Sequence, residues 1–278
     1  MRNCMQGTFV VFFWHAVQNS HRKEKTMAIG GMDLLKKQIE KYWNWRSSSY
    51  ELDQAKSIET VKDWESTINA LVSHVKGSDL RALDVGTGPG QLAFYLAGAG
   101  FKTTGIDISP GMITRAGQKA LQDGLSCDFQ TGDAEHLPFA DNSFDVVVTR
   151  NLVWTLPDPQ AAIREWHRVL KPEGRIIISD GYWQNITWSH IHRLIFKGIK
   201  GFLKTRKFIS CRFFSHYAGL IKRLPLYEGV TINDAGTLMQ HAGFKDILAW
   251  DIPRHFTTNP YGSGSLAAPA FFIVYANK

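Results

Sequence analysis

Two acidic side chains and three glycines are the residues whose types and spacing suggest chemistry. They lie in Asp84-Val85-Gly86-Thr87-Gly88-Pro89-Gly90 and at Asp107. Glycine at 86, 88 and 90 lets backbone approach a ligand closely. Gln91 to Leu96 then reads as the start of a helix, whose free N–H groups favour polar or anionic groups. A dinucleotide fingerprint needs Gly-x-Gly-x-x-Gly; here the third glycine comes one residue early. Asp84 precedes the first glycine by two residues, and a carboxylate there suits a cationic amine rather than a pyrophosphate. Asp107 ends the next strand pattern, Phe101–Ile106, 21 residues after Gly86 (107 − 86). An acidic residue at about 20 residues' remove accepts hydrogen bonds from a ribose diol. The pair describes a nucleoside joined to an amino acid.

These groups need a scaffold that delivers them to one edge. Alternating patterns supply it. Strands are expected over 80–85, 102–107, 126–131, 144–149 and 174–180, and helices over 90–99, 110–123 and 159–169. Ser109-Pro110 opens the second of these helices, with proline suited to a first turn. Thr231–Ala242 predicts a helix ended by Gly243, Phe244–Ile252 a strand, and Phe271–Ala276 a last strand. Upstream, apolar residues at helical spacing predict helices over Asp33–Arg46 and Ser57–Lys76. Short crossovers give a parallel sheet with right-handed connections and place ligands beyond the carboxyl ends of its strands. The expected class is α/β: a doubly wound, mostly parallel seven-stranded sheet with a C-terminal antiparallel strand, plus a helical cap.

Five stretches in order carry a resemblance: Asp84–Gly90, Gly105-Ile-Asp107-Ile108-Ser109, Thr131-Gly-Asp-Ala-Glu-His-Leu-Pro-Phe139, Phe144–Val148 and Arg168-Val-Leu-Lys-Pro-Glu-Gly174. Together they resemble class I S-adenosylmethionine (SAM)-dependent methyltransferases, in the small-molecule group similar to the ubiquinone/menaquinone methyltransferases. The resemblance covers residues 40–181. It implies a Rossmann-like methyltransferase fold, SAM as cofactor and S-adenosylhomocysteine (SAH) as product. It also implies methyl transfer to a small organic acceptor at O, N, S or C. The cofactor set it implies starts with Asp84, Gly86, Thr87, Gly88 and Gly90, and with Asp107 and Ile108. Asp133 would accept from the adenine amino group, and the Ala134 N–H would meet the ring. Arg46 or Tyr50 would touch the SAM carboxylate or close the pocket, against a plain reading as aromatic packing. The Arg150 backbone falls where donor and acceptor meet. Met112 lies under the adenine or fills the core, with core filling favoured.

SAM carries an already activated methyl, so transfer is an in-line displacement. The protein has to hold donor and acceptor close and exclude water. A base is needed only if the acceptor must lose a proton. Tyr50, His136, Tyr182 and His255 are candidates without a motif behind them, so the catalytic residue is left unassigned. No Asn/Asp-Pro-Pro-Tyr/Phe follows the fourth strand, which argues against exocyclic base amines as acceptors. No His/Cys/Asp cluster suggests a metal site. Two alternatives stay open: an NAD(P)-dependent oxidoreductase, and a non-catalytic SAM-fold module acting through a basic segment.

The 278 residues, 44% of them hydrophobic, suffice for one large domain or a domain plus a cap. Cys4, Cys127 and Cys211 form neither a disulfide framework nor a zinc spacing, which points to a reducing compartment and the cytoplasm. The net charge of +7 is moderate. Part of it falls between Asp180 and Glu228, where there is no acidic residue but Arg193, Lys197, Lys200, Lys204, Arg206 and Lys207 recur. A cap lined for an acidic acceptor is the first reading and a solvated helix face the second. Membrane or nucleic-acid contact comes last. Gly7–Val17 is an apolar run too short to span a membrane. The expected domains are an N-terminal extension over 1–31, helices covering the SAM site over 32–78, a SAM-binding core over 79–181, the basic cap over 182–228, and the end of the sheet over 229–278. The oligomeric state is open, a homodimer included.

Overall fold

The computed structural model of this chain describes residues 31–48, 50, 58–181, 220, 223–257 and 271–278. Nearly all of the expected extension and of the basic segment, with Tyr182, lies outside these residues. The chain divides into two compact units, Met1–Ile39 and Glu40–Lys278. Helix α1 covers residues 31–48. After it come α2 (Ile58–Val72), β1 (Arg81–Val85), α3 (Gln91–Gly98), β2 (Lys102–Asp107), α4 (Pro110–Asp123), β3 (Cys127–Thr131) and β4 (Phe144–Arg150). A 3-10 turn (Val153–Thr155) leads to α5 (Pro159–Val169) and β5 (Leu170–Gly181). The chain resumes with α6 (Ile232–His241), β6 (Leu248–Ala249), α7 (Ile252–His255) and β7 (Phe271–Asn277).

The seven strands form one sheet in the order β3-β2-β1-β4-β5-β7-β6. β1 to β5 are parallel, and β7 runs antiparallel to both of its neighbours. The expected α/β class and seven-stranded sheet are therefore the observed ones, while the helical cap expected over 182–228 falls mostly outside the described residues. Alternation along the strands sends side chains to two cores. On one face, Val146, Val148, Ile177 and Ile273 pack with Trp64, Ile68 and Leu71 of α2 and Leu92 and Leu96 of α3. On the other, Val147, Ile176, Ile178 and Val274 pack with Ile163 and Trp166 of α5 and Met239 of α6. Both faces being covered explains the nearly unbroken burial of β4 and β5.

Helix starts follow the local chemistry. The Ser109 hydroxyl caps α4 by accepting from the Met112 N–H, and Asp158 caps α5 by accepting from Ala161 N–H at 2.9 Å. Thr231 and Asp234 form a reciprocal capping box on α6. Two expectations need correction. The strand expected over Phe244–Ile252 shrinks to Leu248–Ala249, and the chain then turns into α7. Local backbone bounds it on both sides: Asp246 takes a left-handed φ of 48°, and Pro253 sets a helical φ at the first turn of α7. α2 ends at Val72 rather than Lys76, because Ser73 and Val75 bond three residues back instead of four. Among the described residues, no helix is long and apolar enough to cross a membrane.

Candidate functional site

Gly86, Gly88 and Gly90 all take left-handed φ values, 69°, 52° and 89°. A side chain at any of them would be strained. The turn is pinned to β2 by the Gly86 and Thr87 N–H groups, which donate to the Ile106 carbonyl at 2.8 and 3.0 Å. It closes with Gly90 N–H on the Thr87 carbonyl at 3.0 Å. The glycines differ in surroundings. A Cβ built on Gly86 would lie 2.8 Å from the Leu152 side chain, whereas one built on Gly88 meets nothing within 4 Å. Gly86 is thus needed for packing, and Gly88 borders open space.

The two acidic residues sit on either side of this turn. Asp107 accepts from Gly88 N–H through Oδ2 and from Ser109 N–H through Oδ1, both at 2.9 Å. Burial pushes its carboxyl up to about 6 against the opposing pull of those two N–H groups. Asp84 is turned inward and 2% exposed. Its Oδ2 accepts from the Thr87 hydroxyl at 2.7 Å and from Ala93 N–H at 3.0 Å. Among the described residues nothing donates to its Oδ1. Burial also pushes Asp84 up to about 6, with the Asp107 charge adding to the rise and Thr87, Arg150 and Ala93 opposing it.

At the end of β4 the Arg150 guanidinium donates to Gln91 Oε1 at 2.7 Å and lies 5.0 Å over the Trp64 ring. Gln91 in turn donates to the Tyr95 hydroxyl at 2.9 Å. Arg150 therefore places a cation beside Asp84, a side-chain role that the sequence did not suggest. Asn151 then takes a left-handed φ of 56°, which asparagine tolerates better than most residues. The turn that follows is held by Asp180, whose Oδ2 accepts from Val153 N–H at 2.9 Å. Asp180 was visible in the sequence only as a strand end.

The remaining expected residues fall into two groups. Asp133 accepts from Glu135 N–H at 2.9 Å, and His136 Nδ1 lies 3.3 Å from its other oxygen. Ala134 is buried, and its carbonyl accepts from Trp166 Nε1 at 3.0 Å. Gly132 N–H donates to the Asp107 carbonyl at 2.9 Å, so this loop starts beside the Asp107 turn. Ile108 is half-buried and Met112 is 2% exposed in the first turn of α4. In the other group, Arg46 lies 5.6 Å over the Tyr50 ring, and Trp43 meets Tyr50 edge to face. Burial pushes the neighbouring Tyr42 hydroxyl up to about 12. The segment reaches the core at Asn44, whose Oδ1 accepts from Gly111 N–H at 2.7 Å. A Cβ on Gly111 would lie 2.5 Å from Ser47 Oγ. Asn44 had no sequence signal. His255 stacks on Trp250, with ring centroids 4.2 Å apart.

Residues 83–178, which contain both carboxylates, the glycine turn and the Asp133 loop, match the methyltransferase domain family. The core of this chain is a methyltransferase domain. The match decides between the two nucleotide-binding readings of the glycine turn. Over 121 residues the chain is 36% identical to a ubiquinone/menaquinone biosynthesis C-methyltransferase of Bartonella quintana, covering 42% of this chain and 46% of that protein. Over 205 residues it is 30% identical to phosphoethanolamine N-methyltransferase 1 of Arabidopsis thaliana, covering 72% of this chain and 34% of that one. The chain thus spans less than half the length of these curated relatives. A SAM-dependent methyltransferase of Aquifex aeolicus shares the fold of this methyltransferase domain, with a TM-score of 0.54 at 18% identity over 83% of this chain and 97% of that one.

Proposed function

We propose that this chain is a SAM-dependent methyltransferase that passes a methyl group to a small organic acceptor. The observation that carries the reading is the join between Gly88 and Asp107 at the strand ends, beside open space, within a methyltransferase domain. The residues fit the cofactor. Open space at Gly88 admits close backbone approach. Asp107 keeps a lone pair on each oxygen for a ribose diol, since each already accepts one N–H. Asp84 offers Oδ1 to an ammonium. When bound, SAM supplies a methyl on a cationic sulfur.

The chain's own residues then have three tasks. Asp84 and Asp107 orient the two ends of the nucleoside. Asp133 and the Ala134 N–H receive the adenine, and the Arg150 backbone lines the transfer point. Arg46 and Tyr50, on the helices over 32–78, close the site. No side chain is assigned as a base. The relatives' names supply C- and N-methylation as the chemistries to try first, and a basic cap over 182–228 favours an acidic acceptor. A cytoplasmic location goes with this reading. Titration of the purified chain with SAH, followed by transfer of a labelled methyl from SAM into a small-molecule extract, tests it. Absence of SAH binding by the folded chain would overturn it.

A further inference from the structure

The Arg168–Gly174 motif has no part in the site described so far, yet its arginine is tied to that site's edge. Arg168 donates to the Phe139 carbonyl at 2.8 Å and to the Leu137 carbonyl at 3.1 Å. Its neighbour Glu165 accepts from Leu137 N–H at 3.0 Å. The two side chains also pair with each other, at 2.8 Å through both Nε and Nη2, which holds Glu165 below the usual carboxylate range. Trp166, fully buried, donates to the Ala134 carbonyl. At the start of the same helix, Asp158 N–H donates to the buried Glu135 carboxylate at 2.8 Å. One helix thus grips the loop over 133–139 at its beginning, middle and end, mostly through backbone groups.

We propose that Trp166 and Arg168 of α5 are positioning residues that fix the adenine-reading edge of the site, and so set base selectivity without touching the cofactor. This rests on the reading of Asp133 and Ala134 as the adenine contacts. The physical argument is one of geometry. A carboxylate reads an amino group only if it is held in place, and the Asp133 loop has no regular secondary structure to hold it. The bidentate fork of Arg168 and the indole N–H supply fixed directions that a lysine or a phenylalanine lacks. The same loop left loose would still accept a purine but would lose the distinction between a 6-amino and a 6-oxo group.

The test compares the affinities of SAH and S-inosylhomocysteine, which carries a 6-oxo group, by calorimetry with thermal melts alongside. The wild-type chain is expected to prefer SAH by roughly tenfold or more, and Asp133→Ala to remove the preference. Trp166→Phe and Arg168→Lys are expected to shrink it to about threefold or less. Ile273→Val, on the opposite face of the sheet, lowers Tm as a control and keeps the preference. If Trp166→Phe does not fold, the half-exposed Arg168→Lys decides alone. Variants that lose Tm but keep the full preference overturn the proposal and leave the cofactor reading intact. A wild-type chain that binds SAH without preference, or an Asp133→Ala variant that keeps it, overturns the adenine placement and the proposal with it.

Discussion

The backbone N–H of Gly88 points at the Asp107 carboxylate across 2.9 Å. That contact joins the glycine turn after β1 to the tip of β2, and it sets the distance between the Gly88 backbone and the carboxylate proposed to hold a ribose. Because Asp107 also accepts from Ser109 N–H, the carboxylate is fixed before any ligand arrives. Little orientational freedom is left to lose on binding.

Asp107→Asn keeps the shape but puts a donor where two acceptors are needed. SAH affinity is expected to fall roughly 10- to 100-fold, the scale of a charge-assisted hydrogen bond lost from a partly buried site. Calorimetric titration measures it. An unchanged affinity would remove Asp107 from the site.

The pH dependence of binding follows from the raised carboxyls. Asp84 and Asp107 both stand near 6 rather than the ordinary 3.8. Around pH 4 to 6 the free folded chain therefore holds protons that the unfolded chain has released, and these two groups lower stability as pH rises through that window. A bound ammonium or diol prefers the ionised carboxylates. SAH affinity should rise with pH up to about 7 and then level off. It should weaken about tenfold per group at pH 5, with protons released on binding near pH 6. Calorimetry in two buffers of different ionisation enthalpy reads that release directly.

Arg150 is one of the charges that pull Asp84 down. Arg150→Met should raise the Asp84 carboxyl further, and so move the lower limb of the SAH affinity profile to higher pH. The profile of Asp107 should move less, since burial and the Ser109 and Gly88 N–H groups dominate its carboxyl. A profile that keeps its midpoint would mean that Asp84 does not sense the guanidinium.

Gly86 and Gly88 should separate stability from binding. Gly86→Ala meets both a left-handed φ and Leu152 at 2.8 Å, and should cost about 2–4 kcal/mol of stability. Gly88→Ala meets only the φ, about 1–2 kcal/mol, but its methyl fills the open space beside Asp107. Its loss in SAH affinity should exceed its loss in stability, and Gly86→Ala should do the reverse. Thermal melts and titrations on the two variants settle the order.

Thr231→Ala removes the capping box of α6, none of whose residues is proposed to touch the cofactor. It should lower stability by about 1 kcal/mol and leave SAH affinity unchanged.

The sequence was most readable where one local rule sufficed. Glycines spaced for a turn, Pro110 at a helix start and alternating apolar patterns marked most elements of the core within a residue or two, but β5 begins at Leu170, four residues before the expected start at Gly174. It was least readable where the outcome depended on partners far along the chain. Phe244–Ile252 reads as a strand by content, yet it pairs with β7 only over Leu248–Ala249 and through one further bond, from the Trp250 N–H to the Ile273 carbonyl at 2.8 Å. Asp84 was legible as an acid at the right spacing, but not as one already holding Thr87 and Ala93. The Arg150–Gln91 pair spans 59 residues and the Asn44–Gly111 bond 67. Neither spacing leaves a periodic trace.

The place of β7 in the sheet has a consequence for how the chain is made. β7 lies between β5 and β6, and Arg175 pairs with Asn277. A ribosome must therefore release the chain through Asn277 before β5 gains its neighbour on that side. Until then a nascent chain carries a long, sticky, isoleucine-rich border, the kind of surface that chaperones shield and that self-associates when they do not.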